Sequence, residues 1–152
     1  MKNKTVIIAF SILMCFMPML ASVFVMPPGD WYNALIKPPL TPPGWVFAPV
    51  WTMLYLMLSA VLYRVIQSGM ENKKTLILLF FAQLFLNALW SPVFFGMNMV
   101  FMALCTVIAM LVLCIVFLYK AKFERVLSLL MMPYMLWLCF ATYLTAGVYF
   151  LN

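Results

Sequence analysis

The chain has 152 residues, of which 68% are hydrophobic and only 8% charged, whereas soluble domains carry about 25% charged and about 45–50% apolar residues. A water-soluble fold has no interior large enough for that much apolar surface, so a bilayer is the natural solvent, and the length fits one compact domain over residues 1–152. The net charge of +6 is dispersed, with no basic run longer than Lys73-Lys74; this argues against nucleic acid as a partner and makes the basic residues markers of topology.

A membrane span needs roughly 20 mostly apolar residues, and five segments qualify. They predict an all-α integral membrane protein built as a five-transmembrane-helix bundle. The first span covers about residues 5–26. Lys2 and Lys4 before it resemble the basic start of a secretory signal. However, Val6 to Met26 is 21 residues, longer than the roughly 7–15-residue core of such signals. Leu20-Ala21-Ser22 is also a poor cleavage site, so a retained span is expected.

The connection over residues 27–46 follows. The stretch WYNALIKPPLTPPGWVFAPVW (31–51) contains five prolines and three tryptophans. Pro38-Pro39 and Pro42-Pro43 fix φ, remove amide donors and push their predecessors to extended conformations. A stiff strap is therefore expected between about Lys37 and Gly44. Asp30 is a candidate N-cap for a short helix over DWYNAL. Trp31, Tyr32 and Trp45 fit two roles: anchors at the membrane interface, or parts of a rigid lid, which costs less entropy to hold in one pose than a flexible loop.

The second span, about 47–67, holds the pair Trp51 and Tyr55 at i, i+4, with Ser59 one turn further. The third, about 75–95, carries Gln83, Asn87, Trp90 and Ser91 on one helical face. Side-chain amides in hydrocarbon are costly unless paired, so this stripe faces the bundle interior, either bonding between helices or lining a cavity. Gly96-Met97-Asn98 makes a tight turn into the fourth span, about 98–119. The fifth, about 126–151, places Tyr134, Trp137, Ala141 and Thr145 on one face, bulky above and small below. Pro18, Pro92 and Pro133 each deprive a carbonyl four residues earlier of its donor and predict kinks.

Charge sets the orientation. Five spans put Lys2, Lys4, Arg64, Lys73, Lys74, Lys120, Lys122 and Arg125 on one side and Lys37 alone on the other. The positive-inside rule then predicts a cytoplasmic N-terminus and an outer C-terminus, as in a bacterial cell membrane. Asp30, Glu71 and Glu124 all lie outside the spans, and no basic residue lies near a span's centre. The usual mark of a proton relay or ion pathway is therefore missing, which argues against an ion-coupled pump. Cys15, Cys105, Cys114 and Cys139 sit in apolar runs without close spacing and read as small hydrophobes. The chain has no histidine, the commonest metal ligand and general base. No metal site is expected.

Three motifs in order, WYNALIKPPLTPPGWVFAPVWTMLY (31–55), QLFLNALWSPVFFG (83–96) and PYMLWLCFATYL (133–144), resemble the TspO/MBR family of tryptophan-rich sensory proteins and translocator proteins. The resemblance implies a five-helix bundle, a homodimer, and a cavity under the first loop that takes tetrapyrroles such as protoporphyrin IX and haem, sterols, or drug-like isoquinoline and benzodiazepine ligands. The positions matching its cavity are Trp51, Asn87, Trp90, Trp137 and Ala141, roofed by Trp31, Tyr32 and Pro42. No cofactor is required; the porphyrin is a ligand, and Lys37 is a candidate partner for one of its propionates. An alternative implied by the family is light-dependent porphyrin breakdown, with Trp51 and Trp137 as the participating residues. Tetrapyrrole or sterol transport is another. Departures from the family pattern are Leu40 for a frequent Trp, Ser59 for Gly, Thr106 for Asp and Thr145 for Asn. No Lys or Arg follows Tyr149, which leaves the usual sterol motif incomplete.

Overall fold

The structure, a computed structural model, describes residues 4–23, 29–122 and 124–152. Among them are six α-helices and no strand: α1 (Lys4–Val23), α2 (Asp30–Ala34), α3 (Phe47–Gln67), α4 (Lys73–Ser91), α5 (Val100–Lys120) and α6 (Arg125–Leu151). Four of them, α3 to α6, are long and apolar enough to cross a membrane. By length and composition the described residues thus show four of the five expected spans; the remaining one falls on α1, whose described part is 20 residues long. Residues 24–26, assigned to the first span, and 27–28 of the expected loop lie outside the described residues.

The helices close a ring in the order α1, α4, α5, α6, α3, with α1 packed again on α3. At one end the α3–α4 and α5–α6 connections are tied together. Arg64 donates to the Glu124 carboxylate at 2.8 Å, and the Asn72 amide donates to the Lys120 carbonyl. Glu124 also caps α6 by accepting from the Leu127 N–H at 2.8 Å. These contacts hold the Glu124 carboxyl below its usual range, Arg64 first. Behind this end Val61, Leu62, Leu76, Phe117, Leu127 and Met131 are fully buried.

Proline shapes the other end. Pro92 has no N–H to continue the α4 ladder, and the chain widens into a π turn over Pro92–Gly96, closed by the Met97 N–H on the Pro92 carbonyl at 2.9 Å. Asn98, at φ 57, then takes the left-handed conformation that reverses the chain into α5. α1 and α6 continue through Pro18 and Pro133 without a break.

In the strap, α2 is capped differently from expectation. The Asn33 N–H bonds to the Gly29 carbonyl at 3.2 Å, which makes Gly29 the N-cap and puts Asp30 inside the first turn. A carboxylate there still meets the positive end of the backbone dipoles. From Leu35 to Pro43 the chain is non-helical, because the two proline pairs withhold four amide donors. Pro38 to Thr41 form a turn in which the Thr41 N–H and hydroxyl reach the Pro38 carbonyl at 3.3 and 2.7 Å. Leu40 sits in that turn at φ 68.

Candidate functional site

The second half of α4 and the first half of α3 face each other beneath the strap. Trp51 stacks on Tyr55, one turn on, with ring centroids 5.3 Å apart. The Tyr55 hydroxyl donates to Asn87 Oδ1 on α4 at 2.8 Å, and this bond is buried. It fixes the Asn87 amide so that Nδ2 faces away from Tyr55. Nδ2 finds no acceptor among the described residues, nor does the indole Nε1 of Trp90, one turn along α4. Trp90 in turn stacks on Phe94 of the π turn at 5.1 Å. Deeper in the same stripe, Gln83 donates to the Met110 carbonyl of α5 at 3.3 Å. One polar face thus serves both purposes open to it: Gln83 bonds between helices, while Asn87 and Trp90 border open space.

That space is a cavity of about 400 Å³. Its walls are α3 (Phe47, Ala48, Trp51, Tyr55), α4 and the π turn (Asn87, Trp90, Ser91, Phe94, Phe95), and α6 (Ala141, Leu144, Thr145, Val148). Pro18 and Met19 of α1 close one side, and Tyr32, Lys37, Thr41 and Gly44 of the strap form the roof. Helix α5 contributes no lining residue; it braces α4 and α6 from outside. The Thr145 hydroxyl donates back to the Ala141 carbonyl at 2.8 Å, so it turns little polarity toward the cavity. In the roof, the Lys37 ammonium lies 4.6 Å from the Tyr32 ring centroid, a cation–π distance. Burial raises the Tyr32 phenol above its ordinary pKa, so at neutral pH the ring carries no charge.

Of the residues singled out from the sequence, Tyr32, Trp51, Asn87, Trp90 and Ala141 border the cavity. Trp31 packs against Phe94 at 5.8 Å on the outer side of the wall. Pro42 is half-buried in the strap, outside the lining. Trp137 stands behind Trp51, edge-on at 6.3 Å, and against Phe47 at 5.8 Å. Tyr55 was visible in the sequence only as an aromatic partner, yet its hydroxyl orients the central amide. Leu144 and Val148 continue the Ala141 face at i+3 and i+7, a signal that periodicity carries. Pro18 and Met19 had no such signal.

Chemically, the cavity is an apolar, aromatic slot with a few polar lining residues, among them Asn87, Trp90, Ser91 and Lys37. A buried donor without an acceptor costs about 1–3 kcal/mol, and Asn87 Nδ2 and Trp90 Nε1 are two such donors, fully buried within the wall. Among the described residues no carboxylate borders the cavity, and no group of three or more His, Cys, Asp or Glu side chains gathers to hold a metal.

The model of the TspO/MBR family matches residues 6–151. The chain is 40% identical over 125 residues to the tryptophan-rich protein TspO of Archaeoglobus fulgidus, covering 80% of each chain. It is 36% identical over 135 residues to the protein of the same name from Chlorobaculum tepidum, covering 86% of this chain and 85% of that one. It is 35% identical over 125 residues to the human translocator protein, covering 78% of this chain and 73% of that one.

Proposed function

This chain belongs to the TspO/MBR family, and from that premise we propose that it is a membrane receptor of the sensory type. Its ligand is flat and largely apolar: a tetrapyrrole such as protoporphyrin IX or haem, or a drug-like isoquinoline or benzodiazepine, bound in the cavity beneath the strap. The observation that carries this reading is the meeting, around one 400 Å³ space, of an aromatic stack with Asn87 and Trp90, whose buried side-chain donors have no acceptor among the described residues. Small-molecule sites are mostly apolar clefts of about 300–1,000 Å³ with a few convergent polar groups. Indole and phenol faces suit a flat ring, and Asn87 and Trp90 suit an acceptor on its edge.

The topology in this reading has five spans. Helix α1 is 20 residues long, a rise of about 30 Å, and crosses as the first span. The described basic residues of the strap-distal side, Lys4, Arg64, Lys73, Lys74, Lys120, Lys122 and Arg125, then face the cytoplasm, and the strap faces outward in a bacterial cell membrane. The working unit is a homodimer.

The test is a binding titration of protoporphyrin IX, haem and an isoquinoline drug, read by quenching of tryptophan fluorescence. Ala141→Phe puts a ring into the cavity and is expected to weaken all three by about tenfold or more. Unchanged affinities would place the ligand elsewhere.

A second reading rests on the contact of Trp51 with Trp137 at 6.3 Å and with Tyr55 at 5.3 Å, a line of oxidisable rings leading away from the cavity. In it, illumination of bound porphyrin leads to its oxidative breakdown, with Trp51 and Trp137 as the participating residues and oxygen as oxidant. Loss of porphyrin absorbance under light no faster than in detergent alone would sink it.

A further inference from the structure

We propose that the strap-distal end of the helical ring is a binding face for anionic phospholipid, with Lys74, Lys120, Lys122 and Arg125 as the residues that take the headgroup phosphate. The proposal rests on the membrane-spanning helices and is independent of what the cavity binds. Helix α3 ends at Gln67, α4 begins at Lys73, α5 ends at Lys120 and α6 begins at Arg125. All four are long and apolar enough to span a membrane, so these ends meet one membrane–water boundary, the level of the lipid headgroups.

Two cations at this end serve the fold. Arg64 pairs with Glu124, and the Lys73 ammonium donates to the Ile66 and Ser68 carbonyls, which closes the end of α3. The other four, Lys74, Lys120, Lys122 and Arg125, are exposed, and their side chains have no hydrogen bond or ion pair among the described residues. Besides Glu124, the two connections carry one carboxylate, Glu71. The bond from Asn72 to the Lys120 carbonyl ties the connections together, so the four cations gather at one end with little to neutralise them.

Local structure does not account for three of these positions. Lys122 takes the left-handed conformation, φ 54, in the turn from α5 to α6, where glycine avoids the strain that a side chain brings. Lys74 and Arg125 stand in the first turns of α4 and α6, where the backbone dipoles favour acidic groups. The positive-inside rule depends on how many basic residues a connection carries, not on the helix face they occupy, and here the face is specific. Lys74 stands four residues before Leu78, and Arg125 stands four and seven before Leu129 and Met132, on the same side of each helix. All three apolar side chains are exposed and, on spanning helices, face lipid. Tyr119, exposed just before Lys120, suits the same boundary. Lys74 and Arg125 thus stand above lipid-facing stripes rather than over the centre of the ring. A soluble anion needs no such alignment. A phospholipid does, because its acyl chains run down the stripe while its phosphate accepts from the cations.

The experiment reconstitutes the full chain in phosphatidylcholine vesicles that carry a trace of spin-labelled phosphatidylglycerol or spin-labelled phosphatidylcholine in both leaflets. The motionally restricted fraction of each label gives its association with the protein. The wild type is expected to favour phosphatidylglycerol by about fivefold or more at low salt, and to lose most of that preference in about 1 M salt. Combining Lys120→Gln, Lys122→Gln and Arg125→Gln should bring the two labels to equal association, whereas Lys120→Arg with Lys122→Arg should keep the preference. Lys122→Gly removes a cation while relieving the turn, so it should lower the preference about twofold or more without lowering the melting temperature. Equal association in the wild type, or a preference that survives the triple glutamine variant, overturns the proposal and leaves the cavity reading standing. A preference unchanged by Lys122→Gly overturns the assignment of Lys122.

Discussion

The two ends of the helical ring are built from the same long helices, yet one is filled and the other hollow. At the end tied by Arg64 and Glu124, apolar side chains meet with no access left at Val61, Leu62, Leu76, Phe117 and Met131. At the strap end the same helices present Trp51, Tyr55, Asn87, Trp90 and Ala141 around about 400 Å³ of open space. Close packing is the default for a protein interior, so the hollow needs a cause. Flat rings stacked along the wall resist collapse, small residues on α6 withhold volume, and the strap is held to α6 rather than to the cavity floor. The filled end holds the helices together, and in the proposed reading the hollow end takes the ligand.

Exchanging the character of the two ends tests this division, and the largest effect is expected in the hollow. Ala141→Phe should cost about tenfold or more in ligand affinity with little change in thermal stability, measured by titration and by melting in detergent. The reciprocal change, Leu62→Ala in the filled end, should destabilise by about 1–3 kcal/mol and leave the affinity of the folded fraction intact. That range lies below values for soluble cores because lipid rather than water is the alternative surrounding, so the cavity term dominates. If Leu62→Ala weakened binding as much as Ala141→Phe does, the two ends would not be separable.

Intermediate effects belong to the strap. Gly147→Ala forces Pro38 away from α6 and should speed ligand dissociation several-fold, seen in stopped-flow release; overpacking of this kind costs about 1–3 kcal/mol. The smallest effect belongs to the tie at the filled end. The Glu124 carboxyl is held below its usual range, so its contribution is present above the ordinary carboxylate pKa and fades as pH falls through the depressed one. Glu124→Gln should lower the melting temperature slightly at neutral pH, and the gap to wild type should close on acidification. A gap that widened in acid would contradict the sign.

Much of the fold was legible before any coordinates. Helices α3, α5 and α6 fall within two residues of the apolar runs that announced them, because hydrophobic length is a local property of the chain. The α4 boundary was less legible, since Pro92 converts its last turn to a π turn instead of simply bending it. Capping at the strap was misread, because Asp30 suits an N-cap by type while the Asn33 N–H bonds instead to the Gly29 carbonyl.

By itself, the sequence determined the solvent, the helical class and the polar and aromatic faces of α3, α4 and α6, since each follows from composition or from a period within one segment. Only the tertiary structure decided which rings border the cavity and which stand behind it, as Trp51 and Trp137 divide between them. It also decided that Lys37 lies in the roof and how Asn152 comes to hold Ile36. Those outcomes depend on contacts between residues far apart in the chain, and such contacts leave no periodic trace in a string of letters.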